Sequence, residues 1–135
     1  MDEGRGISMV KYSRQREGIL RNLQSRRDHP TADMIYDSVR KESPNISLGT
    51  VYRNLTFLTE TGQIFKISTQ MGADRYDGFI EPHNHFICRE CGMVEDMEYI
   101  SCDEMILQAS GLFPGLIEDC ELQFFGKCKN CLSGQ

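Results

Sequence analysis

The sequence feature that most constrains this chain is a pair of Cys-x-x-Cys motifs, Cys88 with Cys91 and Cys128 with Cys131. Zinc takes four thiolates from such motifs in tetrahedral structural sites. The 36 residues that separate the motifs exceed the spacing of a typical zinc ribbon, so a folded segment must bring them together. We therefore predict one structural Zn²⁺ per chain, bound by all four cysteines. The alternatives are a redox pair or surface thiols.

Charge is distributed unevenly along the 135 residues. Residues 1–70 contain 11 Lys and Arg against 8 Asp and Glu, whereas residues 71–135 contain 4 against 12. A mildly basic front half is compatible with phosphate binding, and the acidic back half is not. The asymmetry indicates two modules, which we predict at 1–79 and 80–135, with 1–10 a flexible tail.

We expect neither a membrane span nor an export signal in this chain. No apolar run approaches the roughly 18 residues that a membrane span needs, and the first ten residues lack the apolar core of a signal peptide. Four of the six cysteines have metal spacing, which suits a reducing compartment better than a disulfide framework does. We therefore expect a cytoplasmic protein that has no membrane partner.

The front half has the pattern of a winged helix-turn-helix. Apolar periodicity predicts helices at 13–24, 31–42 and 48–60, followed by short strands at 64–68 and 75–77. In that fold the third helix lies in the DNA major groove. The predicted DNA contacts are polar residues of the first and third helices: Arg14, Arg16, Ser47, Thr50, Tyr52 and Arg53. The alternative is that these side chains are ordinary polar groups on solvent-exposed helix surfaces.

The faces of the predicted helices can be assigned from the spacing of their apolar residues. The second helix should bury Met34, Ile35 and Val39. In the third helix, the apolar face consists of Leu48, Val51, Leu55 and Leu58. The opposite face then carries Gly49, Thr50, Arg53 and Phe57. Phe57 has no role in this scheme unless it packs against another segment.

The back half is a small α/β module. We predict strands at 85–88 and 93–97, a helix at 103–112 and a last strand at Leu116–Phe125. About 55 residues are too few to bury an ample core unaided. Zinc and a homodimer interface, made by strand pairing across a two-fold axis, would both stabilise the module. Because a dimer reads two half-sites, the expected partner is palindromic double-stranded DNA. The predicted fold class is α+β.

Five motifs together carry a resemblance to a known family. They are His29-Pro30-Thr31-Ala32, the run from Ser47 to Leu55, Arg75-Tyr76-Asp77, the run from His83 to Gly92, and Cys128-Lys129-Asn130-Cys131. Over about Lys11 to Cys131 the chain resembles the ferric-uptake-regulator superfamily of bacterial metal-dependent repressors. The resemblance implies an N-terminal winged helix joined by a hinge to a C-terminal dimerisation domain.

The details resemble the peroxide-sensing branch of that superfamily most. This resemblance implies one regulatory Fe²⁺ or Mn²⁺ per chain, bound by three histidines and two aspartates: His29, Asp77, His83, His85 and Asp96. The chain has three histidines, and all three belong to this set. Nitrogen and oxygen donors suit iron and manganese, which leaves the sulfur set to zinc. The ligands come from both modules, so one ion would tie the modules together.

In the peroxide-sensing branch, iron-catalysed oxidation of a ligand histidine releases the repressor from DNA. The implied targets here are His29 and His83. The protein is consumed in this chemistry, so it is not expected to be an enzyme. One alternative is a repressor that responds to iron, manganese or zinc availability without oxidation chemistry. A second alternative is a zinc-binding redox or interaction protein that does not bind DNA.

Several positions depart from the wider family. Places that hold additional ligands in many iron and zinc regulators hold Pro82, Asn84, Asp119 and Cys120 here, so no second regulatory site is expected. We assign no ligand role to Cys102 and Cys120. Free cysteine is more often a small buried hydrophobe than a redox sensor, and both readings stay open for these two residues.

Overall fold

The computed structural model describes residues 14–134, which form two compact units, one ending at Ile80 and one starting at Glu81. The predicted tail at 1–10 and the first residue of the helix predicted at 13–24 lie outside the described residues. No helix within 14–134 has the length and apolar character that a membrane span requires.

The first unit is built from three helices and a two-stranded hairpin. In chain order these are α1, helical through residues 14–24, α2 (Ala32–Val39), α3 (Leu48–Glu60), β1 (Phe65–Ile67) and β2 (Arg75–Asp77). The strands pair antiparallel, with Lys66 opposite Tyr76. This is the element order of a winged helix.

The helix starts follow from side-chain capping. The Thr31 hydroxyl accepts a hydrogen bond from the Met34 N–H, and the Ser47 hydroxyl accepts one from the Thr50 N–H, so each satisfies a backbone donor that a helix start leaves unpaired. Ser47 and the apolar spacing after it predicted a helix at 48–60, and α3 has these bounds.

One core holds the first unit together. Its members are the inward apolar residues of the three helices with Ile46, Ile64 and Tyr76: Ile19, Leu23, Ala32, Ile35, Val39, Ile46, Val51, Leu55, Leu58, Ile64 and Tyr76. Met34, which we predicted to be buried, is 37% exposed, and Ala32 takes an inward position of α2 instead. The prediction for Met34 is wrong because α2 presents a narrower apolar face than the sequence pattern indicated.

Gly78 lies where the chain leaves the hairpin and passes α1. A Cβ at this position would lie 2.7 Å from the backbone carbon of Leu23 and 2.8 Å from the backbone nitrogen of Gln24. Backbone atoms cannot move aside as the tip of a side chain can, so only glycine permits this approach. Next to it, the Arg27 guanidinium carbon lies 3.8 Å from the centroid of the Phe79 ring. The last residues of the unit are thereby packed against the end of α1.

The second unit is a three-stranded sheet with two short helices. Its elements are β3 (Asn84–Cys88), β4 (Val94–Met97), α4 (Asp103–Ser110), β5 (Gln123–Gly126) and α5 (Lys129–Leu132). The strand order is β4-β3-β5: β3 pairs antiparallel with β4 and parallel with β5. Among its described hydrophobic residues apart from cysteine, only Ile87 and Val94 are buried.

The predicted last strand, Leu116–Phe125, is wrong over most of its length. Only Gln123–Gly126 is a strand, because only these residues pair with β3. Residues 116–122 form no ladder within the described chain, and Leu116 is 81% exposed. Alternating apolar residues favour a strand, but a strand also needs a hydrogen-bonded neighbour.

Candidate metal centres and DNA-binding surface

The sheet of the second unit brings the two Cys-x-x-Cys motifs together. Cys88 is the last residue of β3, and its register partner on β5 is Gly126, two residues before Cys128. Parallel pairing therefore places both motifs at one end of the sheet, which closes the 36-residue separation.

The four sulfur atoms have the spacing of a tetrahedral metal site. All four lie within 4.8 Å of one another. The Cys88 and Cys131 sulfurs are 3.7 Å apart, and those of Cys91 and Cys128 are 3.8 Å apart. A tetrahedron with zinc–sulfur bonds of about 2.3 Å has edges of about 3.8 Å. A disulfide needs sulfurs at about 2.05 Å, so this cluster is a metal site and not a pair of disulfides.

Backbone donors prepare one cysteine for metal binding. Cys88 is fully buried, and its sulfur accepts hydrogen bonds from the Cys91 N–H at 3.5 Å and the Cys128 N–H at 3.4 Å. These bonds lower the pKa of Cys88 to about 6. In contrast, hydrogen bonding with the Cys128 side chain raises the pKa of Cys131. One sulfur is thus a thiolate at neutral pH before any ion arrives, which suits the Zn²⁺ predicted for this site.

His29 and Asp77 form a buried pair in the first unit. The Nε2 atom of His29 lies 3.6 Å from Oδ2 of Asp77, and the side chains are 4% and 2% exposed. The other carboxylate oxygen of Asp77 accepts a hydrogen bond from the Phe79 N–H at 2.9 Å. Asp77 ends β2, and His29 lies in the loop before α2.

The backbone at His29 is in the left-handed region, with φ of 51°. A non-glycine residue there is uncommon and must be held by its surroundings. Arg75 donates a hydrogen bond from Nη1 to the His29 carbonyl at 2.9 Å, and the Tyr76 N–H donates to the Pro30 carbonyl at 2.9 Å. Two bonds from β2 therefore fix the loop that aims His29 at Asp77. We gave Arg75 no role from the sequence, and no periodicity or spacing reveals this bond.

Three further predicted ligands converge in the second unit. His85 on β3 lies directly opposite Asp96 on β4. The Nε2 atoms of His83 and His85 are each 3.3 Å from Oδ1 of Asp96 and 2.9 Å from each other. Ligands in adjacent positions around an octahedral ion lie about 3 Å apart when the metal–ligand bonds are about 2.1 Å. The three atoms are therefore spaced as ligands of one ion.

A backbone carbonyl orients His83. Its Nδ1 lies 2.7 Å from the carbonyl oxygen of Glu81, which can only accept a hydrogen bond. Nδ1 is therefore the protonated nitrogen, and the lone pair of Nε2 points at His85 and Asp96. Metal-binding histidines commonly have such a partner, which fixes the ring and its tautomer.

The start of α3 forms the candidate DNA-binding surface. Tyr52 is 46% exposed, and Arg53 is exposed beside it. The Thr50 hydroxyl lies 2.9 Å from the Ser47 hydroxyl and accepts a hydrogen bond from Nη2 of Arg53 at 3.0 Å. Our assignment of Thr50 to the outward face is wrong: it is 8% exposed and supports Arg53 from inside. Gly49 leaves room for the Arg53 guanidinium, which would lie 3.3 Å from a Cβ there.

The two predicted arginine contacts of α1 differ. Arg14 is exposed. Arg16 donates a hydrogen bond to Oδ1 of Asn54 at 3.0 Å, and its guanidinium carbon lies 3.7 Å from the centroid of the Phe57 ring. Phe57, whose packing partner was not identified from the sequence, therefore packs against Arg16. The sequence did not assign Asn54 a role, yet it is 3% exposed and links α3 to α1.

The model of the Ferric uptake regulator family matches residues 8–124. The chain belongs to the ferric uptake regulator family. The match ends before Cys128, so the assignment of Cys128 and Cys131 to the sulfur site depends on the geometry given above. Members of this family are regulators, in agreement with a non-enzymatic role.

Similar family members include peroxide regulators. The peroxide-responsive repressor PerR of Staphylococcus aureus (strain USA300) is 33% identical over 122 residues, which cover 90% of this chain and 82% of PerR. The crystal structure of the Campylobacter jejuni peroxide stress regulator has a TM-score of 0.79 and 29% identity, with coverage of 97% of this chain and 98% of that one.

A structure of the Helicobacter pylori ferric uptake regulator Fur, which reveals three functional metal-binding sites, has a TM-score of 0.74 and 25% identity. It covers 96% of this chain and 90% of the other. These likenesses confirm the predicted α+β fold class, with its winged helix followed by a small α/β domain.

Proposed function

We propose that this family member is a metal-dependent transcriptional repressor that senses hydrogen peroxide by oxidation of one of its own histidines. The observation that carries the proposal is that each of the three histidines in the chain lies within 3.6 Å of an aspartate carboxylate. Within residues 14–134, no candidate metal-binding group combines a histidine with a cysteine. The likeness to PerR of S. aureus and to the C. jejuni peroxide stress regulator supports the same reading.

We assign the regulatory ion, Fe²⁺ or Mn²⁺, to His29, Asp77, His83, His85 and Asp96. The donors are nitrogen and oxygen, which these ions prefer to the sulfurs that suit Zn²⁺. These five side chains would hold the ion, and Fe²⁺ bound there would supply the electrons that cleave the oxygen–oxygen bond of peroxide.

The protein contributes by orienting the rings that become oxidised. The Glu81 carbonyl holds His83 with Nε2 directed at its partners, and Arg75 holds the loop of His29. An imidazole that has gained oxygen is a poorer ligand, so the regulatory ion is lost. His29 belongs to the first unit and His83 to the second. A ligand shifts a conformational balance only through its different affinity for the two forms.

The proposed DNA contacts are those on the start of α3 and on α1. Tyr52 can contact a thymine methyl group, and Arg53 can reach guanine or phosphate. Ser47 and Thr50 position Arg53, while Arg14 is available to the DNA backbone. We further propose that the chain acts as a homodimer on palindromic double-stranded DNA, as the family resemblance implies.

The test is mass spectrometry of the Fe²⁺ and Mn²⁺ forms after peroxide treatment. Trypsin releases His83 in peptide 76–89, which contains no methionine, and His29 in peptide 28–40, which contains Met34. We expect a gain of about 16 Da, one oxygen atom, on a histidine fragment ion of the Fe²⁺ form alone. A gain confined to Met34 or to cysteine would contradict the proposal.

Two substitutions sharpen the test. Asp96→Asn removes a proposed ligand and should abolish histidine oxidation. The control is Glu95→Gln. Glu95 is the exposed residue that precedes Asp96 on β4, so this variant removes the same charge and should leave histidine oxidation intact. Oxidation that persists in Asp96→Asn would place the reaction elsewhere. A chain that controls metal uptake without oxidation chemistry would show DNA binding that depends on metal and no histidine product in either form.

A further inference from the structure

Cys102 and Cys120, the two cysteines outside the four-cysteine sulfur cluster, lie side by side in the second unit. Cys102 precedes α4, and its thiol donates a hydrogen bond to the Cys120 carbonyl at 3.0 Å. Both residues are partly exposed, so a small oxidant can reach them. In the sequence they are separated by residues 103–119, which contain α4 and the segment after it.

A second contact holds the same two segments together. Asn84, which lies between the ligand histidines and is 6% exposed, accepts a hydrogen bond from the Ile100 N–H at 2.6 Å. Its amide donates to the Leu122 carbonyl at 3.3 Å. Ile100 and Leu122 are each two residues from one of the cysteines. A buried side chain of β3 therefore fixes the approach of Cys102 to Cys120 independently of their own hydrogen bond.

We propose that Cys102 and Cys120 are a dithiol that hydroperoxides convert reversibly to a disulfide. The Cys120 sulfur attacks one peroxide oxygen, the oxygen–oxygen bond breaks, and the departing hydroxide takes a proton to become water. The resulting sulfenic acid on Cys120 is attacked by the Cys102 sulfur, which forms the sulfur–sulfur bond. The released hydroxide takes the Cys102 proton and leaves as a second water, so two thiols and one peroxide give a disulfide and two waters.

The order of attack follows from the surroundings of Cys102. Hydrogen bonding with the Cys120 side chain raises the pKa of Cys102 to about 11. Cys102 therefore stays a thiol at neutral pH and acts second, as the resolving residue. The four remaining cysteines are engaged in the sulfur cluster, and Cys88 is fully buried there.

The test uses the intact chain loaded with Zn²⁺ and Mn²⁺, in which the iron chemistry of the proposed function is silent. The protein is treated with hydrogen peroxide, alkylated and digested with a protease that cleaves after glutamate. Trypsin is unsuitable because residues 90–126 contain no Lys or Arg. Cleavage after glutamate places Cys102 on peptide 99–104, Cys120 on 119–121 and Cys91 on 91–95.

We expect peptides 99–104 and 119–121 to be joined, with a mass about 2 Da below the sum of the two because two hydrogens are lost. Dithiothreitol should separate them, and zinc should remain bound throughout. Cys102→Ser should abolish the linkage and leave sulfenic acid on Cys120, while zinc content stays unchanged.

Recovery of both peptides in alkylated form, while the zinc cysteines become disulfide-linked and release zinc, would overturn the proposal. So would irreversible oxidation of Cys102 and Cys120 without a linkage. Histidine oxidation in the Fe²⁺ form is measured separately, so failure of the dithiol and failure of the peroxide-sensing proposal give different results.

Discussion

Arg75 donates a hydrogen bond from Nη1 to the backbone carbonyl of His29 at 2.9 Å, although 46 residues separate the two in the chain. His29 has φ of 51°. The bond therefore supports a backbone conformation that histidine adopts only when its surroundings compensate for the strain. It connects the wing strand β2 to the loop that carries a proposed ligand.

Arg75→Gln should weaken regulatory metal binding without removing a ligand. Loss of the bond frees the His29 loop, and outer partners of metal ligands are typically worth about 10–100-fold in affinity. Mn²⁺ titration measures the change. Lys66→Gln is the control, since it removes the same charge from the paired strand and from an exposed ion pair with Asp74. Equal affinities for the two variants would show that the Arg75 bond does not position His29.

Zinc removal should unfold the second unit and spare the first. The first unit has an apolar core of its own, whereas the second buries little apolar surface beyond Ile87, Val94 and its cysteines. Structural zinc contributes of order 10 kcal/mol in small domains, more than such a core can replace. Hydrogen exchange after chelation should show lost protection from Glu81 onward and retained protection in α1–α3.

The matched variants for that experiment are Cys88→Ser, which should lose zinc, and Cys102→Ser, which should keep it. Protection that survives in β3–β5 after complete chelation would mean that the sheet folds without the ion.

Zinc binding should persist to mildly acidic pH. The pKa of Cys88 is lowered to about 6 by the N–H donors of Cys91 and Cys128. A lowered pKa in the folded state gives stability that is complete above the ordinary thiol pKa, near 9, and is lost as pH falls through 6. Bound zinc lowers the pKa further, so release should begin only below pH 6. A chromogenic chelator monitors the release, and substantial loss between pH 7 and 8 would contradict the assignment of Cys88 as the prepared thiolate.

Arg53→Ala should weaken operator binding by about 1–3 kcal/mol and relax base preference at the position that it contacts. Arg40→Ala, at the end of α2, removes the same charge from the same unit and should have a much smaller effect. Fluorescence anisotropy over a salt series provides the comparison. Equal losses of DNA affinity in the two variants would show that Arg53 contributes only its positive charge.

Much of the fold was predictable because local chemistry determines it. Ser47 and the spacing of Val51, Leu55 and Leu58 define α3, and the two Cys-x-x-Cys motifs define the sulfur cluster. Some predictions failed. Thr50, which helical spacing placed on the outward face of α3, is buried, and its hydroxyl contacts Ser47 and Arg53 within the same helix turn. The strand predicted at Leu116–Phe125 finds a partner only from Gln123 onward, because its pairing depends on β3, a segment distant in the chain.

The metal-ligand residues illustrate the same division. His83, His85 and Asp96 converge because β3 and β4 pair in a register that sequence alternation makes reasonable. The bonds from Arg75 to His29 and from Asn84 to Ile100 and Leu122 have no local signature, since each joins elements distant in the chain.

The most direct test of peroxide sensing is operator binding by the Fe²⁺ and Mn²⁺ forms after the same peroxide dose. Dithiothreitol is added before the measurement, because it reverses disulfides and leaves oxidised histidine unchanged. We predict that the Fe²⁺ form loses DNA in proportion to the fraction oxidised at His29 or His83, while the Mn²⁺ form stays bound. Full binding by an Fe²⁺ sample whose histidines are oxidised, or equal loss in both forms, would contradict the account.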